Sequence, residues 1–160
     1  MSWIKRRVWI LVFFATCVCQ SGASSIKSAA LVESLVVGPQ EPATAFISAE
    51  DLKAKIGRNE SLTIIDVRTA STYTHSDSTI KGALFVKLRR LNSRLSFPPL
   101  KSVPRDSEVI TYCACPNDEA SIHAAQILSA AGFSRVRVLK GGWRMWQKVN
   151  GQVTSKPKPA

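Results

Sequence analysis

Four short runs of β-branched and apolar residues recur along the chain, separated by segments with helical spacing. The runs cover residues 63–67, 83–86, 109–112 and 136–139. Each is bounded by polar residues or glycine, which is typical of strands that are buried on both faces of a sheet. Strands that alternate with helices predict an α/β fold with a mostly parallel sheet. A chain of 160 residues has room for one such domain.

Four helices are predicted between and around the runs, over residues 48–56, 88–95, 121–131 and 143–149. Ser48 with Asp51 three residues later resembles a capping box, and Gly57 is the predicted stop of the first helix. The third helix has the clearest apolar spacing, with Ser121 as its predicted N-cap and Gly132 as the residue that follows its end.

The first 23 residues have the three-part layout of a secretory signal peptide. Three basic residues at 5–7 precede an apolar run over 8–18, and small residues occupy 21–23. The apolar run is short for a span of the bilayer. We therefore expect cleavage after Ala23 and export to the periplasm or beyond, with a retained membrane anchor as the alternative.

The remaining chain divides into three parts. Residues 24–45 are rich in Ser, Ala and Pro and predict a linker or N-terminal arm, in which 29–37 could form a short helix. Residues 46–153 form the predicted domain. The alternating Lys and Pro near the end predict a disordered tail over 154–160.

The charge is strongly basic but dispersed. The formal net charge is +11, and it becomes +8 without residues 1–23, with 19 basic and 11 acidic side chains. The basic residues are scattered, and no aromatic residues are interleaved with them as a base-stacking surface requires. We expect a solvated basic surface and no nucleic-acid partner.

Cleavage of the signal peptide would remove Cys17 and Cys19 and leave only Cys113 and Cys115. Two cysteines are too few for a disulfide framework. They lie between the third predicted strand and the following helix, at the carboxyl edge of the sheet, where reactive groups of such folds lie. Backbone N–H groups at a helix N-terminus stabilise a thiolate, which is the nucleophilic form. The alternative is that both cysteines are small buried apolar residues.

A series of short motifs, in order and spacing, resembles the successive signatures of a rhodanese-like domain over residues 46–153. The motifs are Asp66-Val67-Arg68, Tyr73, Ile80-Lys81-Gly82-Ala83, Tyr112-Cys113, Ala124-Ala125, Gly132-Phe133, Leu139-Lys140-Gly141-Gly142 and Trp146. The resemblance implies a five-stranded parallel sheet with helices on both faces. It also implies a sulfurtransferase: a thiolate takes a sulfane sulfur from thiosulfate or a persulfide, holds it as a cysteine persulfide, and passes it to a thiol or cyanide. No cofactor or metal is expected.

Two positions for the nucleophile follow from the resemblance, because the family's active loop usually runs six residues. Counting forward from the strand selects Cys113, whereas counting back from the helix selects Cys115. Loop size decides whether the N–H groups converge on the sulfur, so Cys115 is the preferred nucleophile. The loop that would bind the substrate consists of Pro116, Asn117, Asp118, Glu119 and Ala120.

Several positions depart from the pattern of relatives that use thiosulfate. Asp118 and Glu119 replace the usual basic loop residues. Their carboxylates would repel a dianionic donor and raise the thiol pKa. Alternatively, they would point to solvent and stabilise the start of the helix through its dipole. The Gly-His that precedes Ile in the family is Ser78-Thr79 here, and His75 and His123 are expected to be ordinary surface residues. Asp66 and Arg68 are expected to form a supporting pair at the strand end.

Two other classes of function remain open. Cys113 and Cys115, together with His123, could bind a soft metal such as copper, or the two cysteines could form a strained disulfide for redox exchange. The domain could also be a catalytically idle binding module, because a fold alone does not decide function.

Overall fold

The computed structural model describes residues 44–156, and its strands form one parallel sheet and one short antiparallel pair. In chain order the strands are β1 (Ala45–Ile47), β2 (Leu62–Asp66), β3 (Ser78–Ile80), β4 (Leu84–Phe85), β5 (Glu108–Tyr112), β6 (Arg135–Leu139) and β7 (Val153–Ser155). The parallel sheet has the order β1-β6-β5-β2-β4, and β3 pairs with β7. The predicted α/β fold with five parallel strands is confirmed.

Helices cover both faces of the parallel sheet. They are α1 (Ala49–Gly57), α2 (Ala70–Thr74), α3 (Leu91–Arg94), α4 (Glu119–Ala130) and α5 (Gly142–Lys148), with 3-10 turns at Leu88–Arg90 and Leu100–Ser102. In the part of the chain that the structure describes, no helix is long and apolar enough to cross a membrane.

The central strand β5 is buried along its whole length because its side chains enter two separate cores. Val109 packs in a core with α3 and α4, where Leu128 is completely buried. Ile110, on the opposite face, packs in a core with α1 and α5, where Trp146 is completely buried. Burial of each such side chain contributes about 1.5–3 kcal/mol. These cores fix the carboxyl end of β5, at which the two cysteines follow.

The predicted helix boundaries are partly confirmed. The Ser48 hydroxyl accepts a hydrogen bond from Asp51 N at 3.0 Å, as the capping box predicted. The predicted stop at Gly57 is wrong, because Gly57 lies inside α1 and the left-handed residue beyond it is Asn59, at φ 54°. Gly132, at φ 92°, follows α4 as predicted. The predicted start of α4 at Ser121 is wrong, since the helix begins at Glu119 after Asp118.

The ends of the domain differ from the sequence prediction. Residue 45, assigned to the linker, begins the edge strand β1, which pairs with β6. The predicted tail from residue 154 overlaps β7, whose backbone pairs with β3, and Lys156 N donates to the Asp77 carbonyl at 2.9 Å. The predicted signal peptide, the short helix over 29–37 and residues 157–160 lie outside the described residues.

Candidate active site

The chain leaves the sheet at the end of β5 and reaches α4 through residues 113–118. The turn after β6 packs against the start of this loop, where Trp143 N donates a hydrogen bond to the Cys113 carbonyl at 2.8 Å. Gly142 lies so close that a Cβ there would collide with the same carbonyl oxygen, and its φ is +50°. Both the space and the left-handed backbone therefore require glycine at this position.

The two cysteines bring their sulfur atoms together. Cys113 Sγ and Cys115 Sγ are 2.8 Å apart, and Cys115 N donates to Cys113 Sγ at 3.3 Å. Cys113 is completely buried, with Ser121 Oγ 3.5 Å from its sulfur, whereas Cys115 is half-buried. A molecule from solvent can therefore approach Cys115 but not Cys113.

Burial raises the pKa of the Cys115 thiol, and the hydrogen bond with Cys113 raises it further. The N–H of Ala120, in the first turn of α4, acts in the opposite direction. The thiolate stabilisation predicted from the helix N-terminus is therefore present, but burial and the second thiol outweigh it. Near neutral pH, Cys115 is mainly a thiol.

The acidic residues of the loop have different positions. Asp118 is buried in a left-handed conformation at φ 56°, and its Oδ2 accepts a hydrogen bond from Gly141 N at 2.7 Å. Its Oδ1 is buried and has no hydrogen-bond partner among residues 44–156. Glu119 is exposed in the first turn of α4, where its charge is favourable to the helix dipole. Asp118 thus connects the loop to the turn after β6. The sequence had suggested only that its charge repels a donor or points to solvent.

Asp66 and Arg68 form the supporting pair expected from the sequence, at the end of β2. Both are buried, and Asp66 Oδ2 accepts hydrogen bonds from Arg68 Nη2 at 2.7 Å and from the Tyr112 hydroxyl at 2.7 Å. Burial and the Asp66 carboxylate raise the pKa of Tyr112, so its hydroxyl remains a donor. The Arg68 guanidinium lies 4.5 Å from the centre of the Trp143 ring. The pair therefore links β2 to β5 and α5 beside the active loop.

A cavity of about 390 Å³ lies at the start of α4, where Ala120 lines it. The rest of its lining consists of Val67, Arg68, Thr69, Ala70, Lys87, Leu88 and Arg89. Lys87 and Arg89 are exposed and place two cations at this cavity. A second cavity of about 370 Å³ is lined by Pro116 and Asp118 with Lys140 and Arg144. The Asp118 carboxylate thus borders the second cavity and not the first.

The family follows from a match that covers most of the described chain. The model of the rhodanese-like domain matches residues 48–149. The chain belongs to the rhodanese-like domain family. This range lies within the predicted domain of 46–153, and no curated protein matches the chain significantly.

Several solved structures share this fold. The Alr3790 protein of Anabaena sp. is 32% identical with a TM-score of 0.59, and the match covers 69% of this chain and 82% of that chain. The BH2092 protein of Bacillus halodurans is 27% identical with a TM-score of 0.59, over 70% of this chain and 77% of that one. The human single-domain sulfurtransferase TSTD1 is 20% identical with a TM-score of 0.56, and the match covers 66% of this chain and 96% of that one. At this identity the similarity is one of fold alone.

The histidines of this rhodanese-like domain lie away from the sulfur pair. His75 and His123 are exposed, and His75 Nδ1 is 2.8 Å from the Ser71 carbonyl oxygen. Among residues 44–156, no three His, Cys, Asp or Glu side chains meet in a group that could hold a metal ion. The arrangement of Cys113, Cys115 and His123 therefore does not support the soft-metal alternative.

Lys87 and Arg89 are the site residues that the sequence analysis missed, because it treated them as part of a dispersed basic surface. A signal for them was present: residue 87 directly follows the predicted strand over 83–86, so it belongs at the same carboxyl edge as the cysteines. Pro116 and Asn117 are exposed at the tip of the loop, as residues that meet a substrate would be.

Proposed function

We propose that this rhodanese-like domain is an exported sulfurtransferase that carries a sulfane sulfur on Cys115. The Cys115 side chain carries the proposal: it is half-buried, the Ala120 N–H at the start of α4 lowers its pKa, and Ala120 itself lines a cavity with two cations. Family membership supports the fold for this chemistry but not the activity itself. Cys113 is the weaker candidate because its sulfur is completely buried.

In the first half of the cycle, the Cys115 thiolate attacks the outer sulfur of the donor. With thiosulfate, the bond between the two donor sulfurs breaks, sulfite leaves with the electron pair, and Cys115 holds a persulfide. With a low-molecular-weight persulfide, the leaving group is the corresponding thiolate. The Ala120 N–H lies where it can donate to the anionic sulfur that forms on Cys115.

In the second half, the acceptor attacks the outer sulfur of the Cys115 persulfide. A thiolate acceptor becomes a persulfide and cyanide becomes thiocyanate, and in both cases the Cys115 thiolate is regenerated. The exposed loop tip and the partial exposure of Cys115 give an acceptor access to this sulfur.

The charges around the loop suit an anionic donor better than the sequence suggested. Lys87 and Arg89 border the cavity that Ala120 lines at the start of α4. The Asp118 carboxylate instead accepts a hydrogen bond from Gly141 N and borders the other cavity. Its repulsion of a donor is reduced accordingly, so thiosulfate and anionic persulfides are both candidate donors.

The cellular setting of the proposal rests on the sequence of residues 1–23. Their signal-peptide layout supports export of the mature domain to the periplasm or outside the cell. There its partners would be small sulfur-containing donors and thiol acceptors.

The test is thiocyanate formation from cyanide, with thiosulfate and glutathione persulfide as alternative donors. We expect Cys115→Ser to reduce the rate by a factor on the order of a thousand or more, because it removes the atom that carries the sulfur. Cys113→Ser, two residues away in the same loop, is the matched control and should keep part of the activity. Equal rates in Cys115→Ser and the wild type would overturn the assignment, and a wild type inactive with both donors would favour the binding module.

A further inference from the structure

Within residues 44–156, Cys115 is the one cysteine whose sulfur contacts the buried Cys113. Cys113 is completely out of contact with solvent, so an external donor or acceptor cannot reach its sulfur. Cys115 Sγ lies 2.8 Å away, and Cys115 N and Ser121 Oγ lie 3.3 and 3.5 Å from Cys113 Sγ. These contacts hold the buried sulfur against the one that would carry the persulfide.

We infer that Cys113 resolves the Cys115 persulfide, releasing hydrogen sulfide and forming a Cys113–Cys115 disulfide. This activity rests on the proposed function, since it begins from the persulfide on Cys115. Its product is sulfide rather than a transferred sulfane sulfur, and it needs no external acceptor.

The step is a thiol–disulfide exchange in which the leaving group is hydrosulfide. Cys113 Sγ attacks Cys115 Sγ, the bond between Cys115 Sγ and the outer sulfur breaks, and that sulfur leaves with the electron pair. The proton of the Cys113 thiol goes to the departing sulfur, so the product is HS⁻. The two cysteines are oxidised by two electrons, and the sulfane sulfur supplied by the donor is reduced.

Proximity permits this step when no acceptor is present. Reacting atoms that are held within about 3–3.5 Å have effective concentrations on the order of 10⁵ M or more when they are aligned. The sulfur–sulfur distance of 2.8 Å meets the distance criterion.

The resulting disulfide would be readily reduced. A bridge between residues two apart departs from relaxed disulfide geometry, and strained disulfides are the more oxidising ones. A dithiol reductant, which exchanges with the half-exposed sulfur of Cys115, would return both thiols and permit another turnover.

The experiment measures a single turnover without an acceptor. The full chain is reduced, freed of reductant and mixed without oxygen with thiosulfate or glutathione persulfide. Released sulfide is quantified. The mass of the tryptic peptide 106–135 is measured by mass spectrometry, because this peptide contains Cys113 and Cys115 but neither Cys17 nor Cys19. Cys113→Ser and Cys113→Ala are compared with the wild type, and circular dichroism confirms that they are folded.

For the wild type we expect one equivalent of sulfide and a peptide that has lost two hydrogen atoms. Both variants should instead keep one added sulfur and release on the order of tenfold less sulfide. A wild type that keeps the added sulfur and releases no sulfide would overturn this inference and leave the proposed function intact. If the folded variants gain no sulfur from either donor, the proposed function fails and the inference fails with it.

Discussion

Two buried carboxylates stand at opposite ends of the sheet, and their cations differ in exposure. At the carboxyl end, Asp66 pairs with Arg68, which is itself only 1% exposed. At the amino end, Glu108 faces three basic side chains from α1 and β6. They are Lys55 at 3.1 Å, Arg135 at 3.6 Å and Arg137 at 3.5 Å.

The exposure of the partner decides what each pair contributes. The side chains of Arg135 and Arg137 are 60% and 44% exposed, so water can solvate them if Glu108 loses its charge. Water cannot solvate Arg68 in the same way, because its guanidinium is enclosed by Asp66, Tyr112 and Trp143. The carboxyl edge therefore holds a buried ion pair beside the active loop, whereas at the amino edge two of the three cations around Glu108 are open to water.

The largest effect is expected for Asp66→Asn, which has nearly the same shape but no charge. It leaves the Arg68 guanidinium buried without a counter-ion, and such a change typically costs about 3–5 kcal/mol of stability. Urea unfolding followed by circular dichroism measures the loss. A cost below about 1 kcal/mol would show that water reaches Arg68.

Glu108→Gln is the matched substitution at the other end, and we expect a loss of only about 1 kcal/mol. Because the partners are exposed, added salt should reduce the difference between this variant and the wild type, whereas the cost of Asp66→Asn should change little. Unfolding at low and high salt makes the comparison. Equal costs for the two substitutions would contradict the distinction between the edges.

The smallest effect is a shift in the pH dependence of persulfide formation. Burial raises the pKa of Cys115, so the thiolate fraction keeps increasing with pH beyond about 8.5, where an ordinary cysteine would be half ionised. In Cys113→Ala the neighbouring thiol no longer raises this pKa, and the profile should move to lower pH. The rate of persulfide formation from thiosulfate, measured against pH, is the readout. If the midpoint of the wild-type pH profile lay below the pKa of free cysteine, burial would not be raising the pKa of Cys115.

Local signals in the sequence predicted the parts of the fold that depend on neighbours in the chain. The Ser48 cap and the glycine after α4 were found because capping involves residues three or four apart. Strands β1, β3 and β7 were missed, since three residues carry little periodicity and each strand pairs with a segment far away in the chain. Their existence depends on tertiary contacts.

The active loop shows the same limit. Spacing was sufficient to place two thiols together before a helix, and to name Asp66 with Arg68 as a pair. It was not sufficient to show which sulfur is enclosed, because that depends on how Ser121 and the turn after β6 pack around Cys113. The inward direction of Asp118 follows from its left-handed backbone, which a sequence pattern does not reveal.

The active loop is anchored at its two ends and free between them. Cys113 is attached through its carbonyl to Trp143 N, and Asp118 through its carboxylate to Gly141 N, so both anchors belong to one short turn. Ala114, Pro116 and Asn117 are exposed between these anchors. Evolution can therefore change the chemistry that the loop tip offers to a sulfur compound while the scaffold below it stays the same.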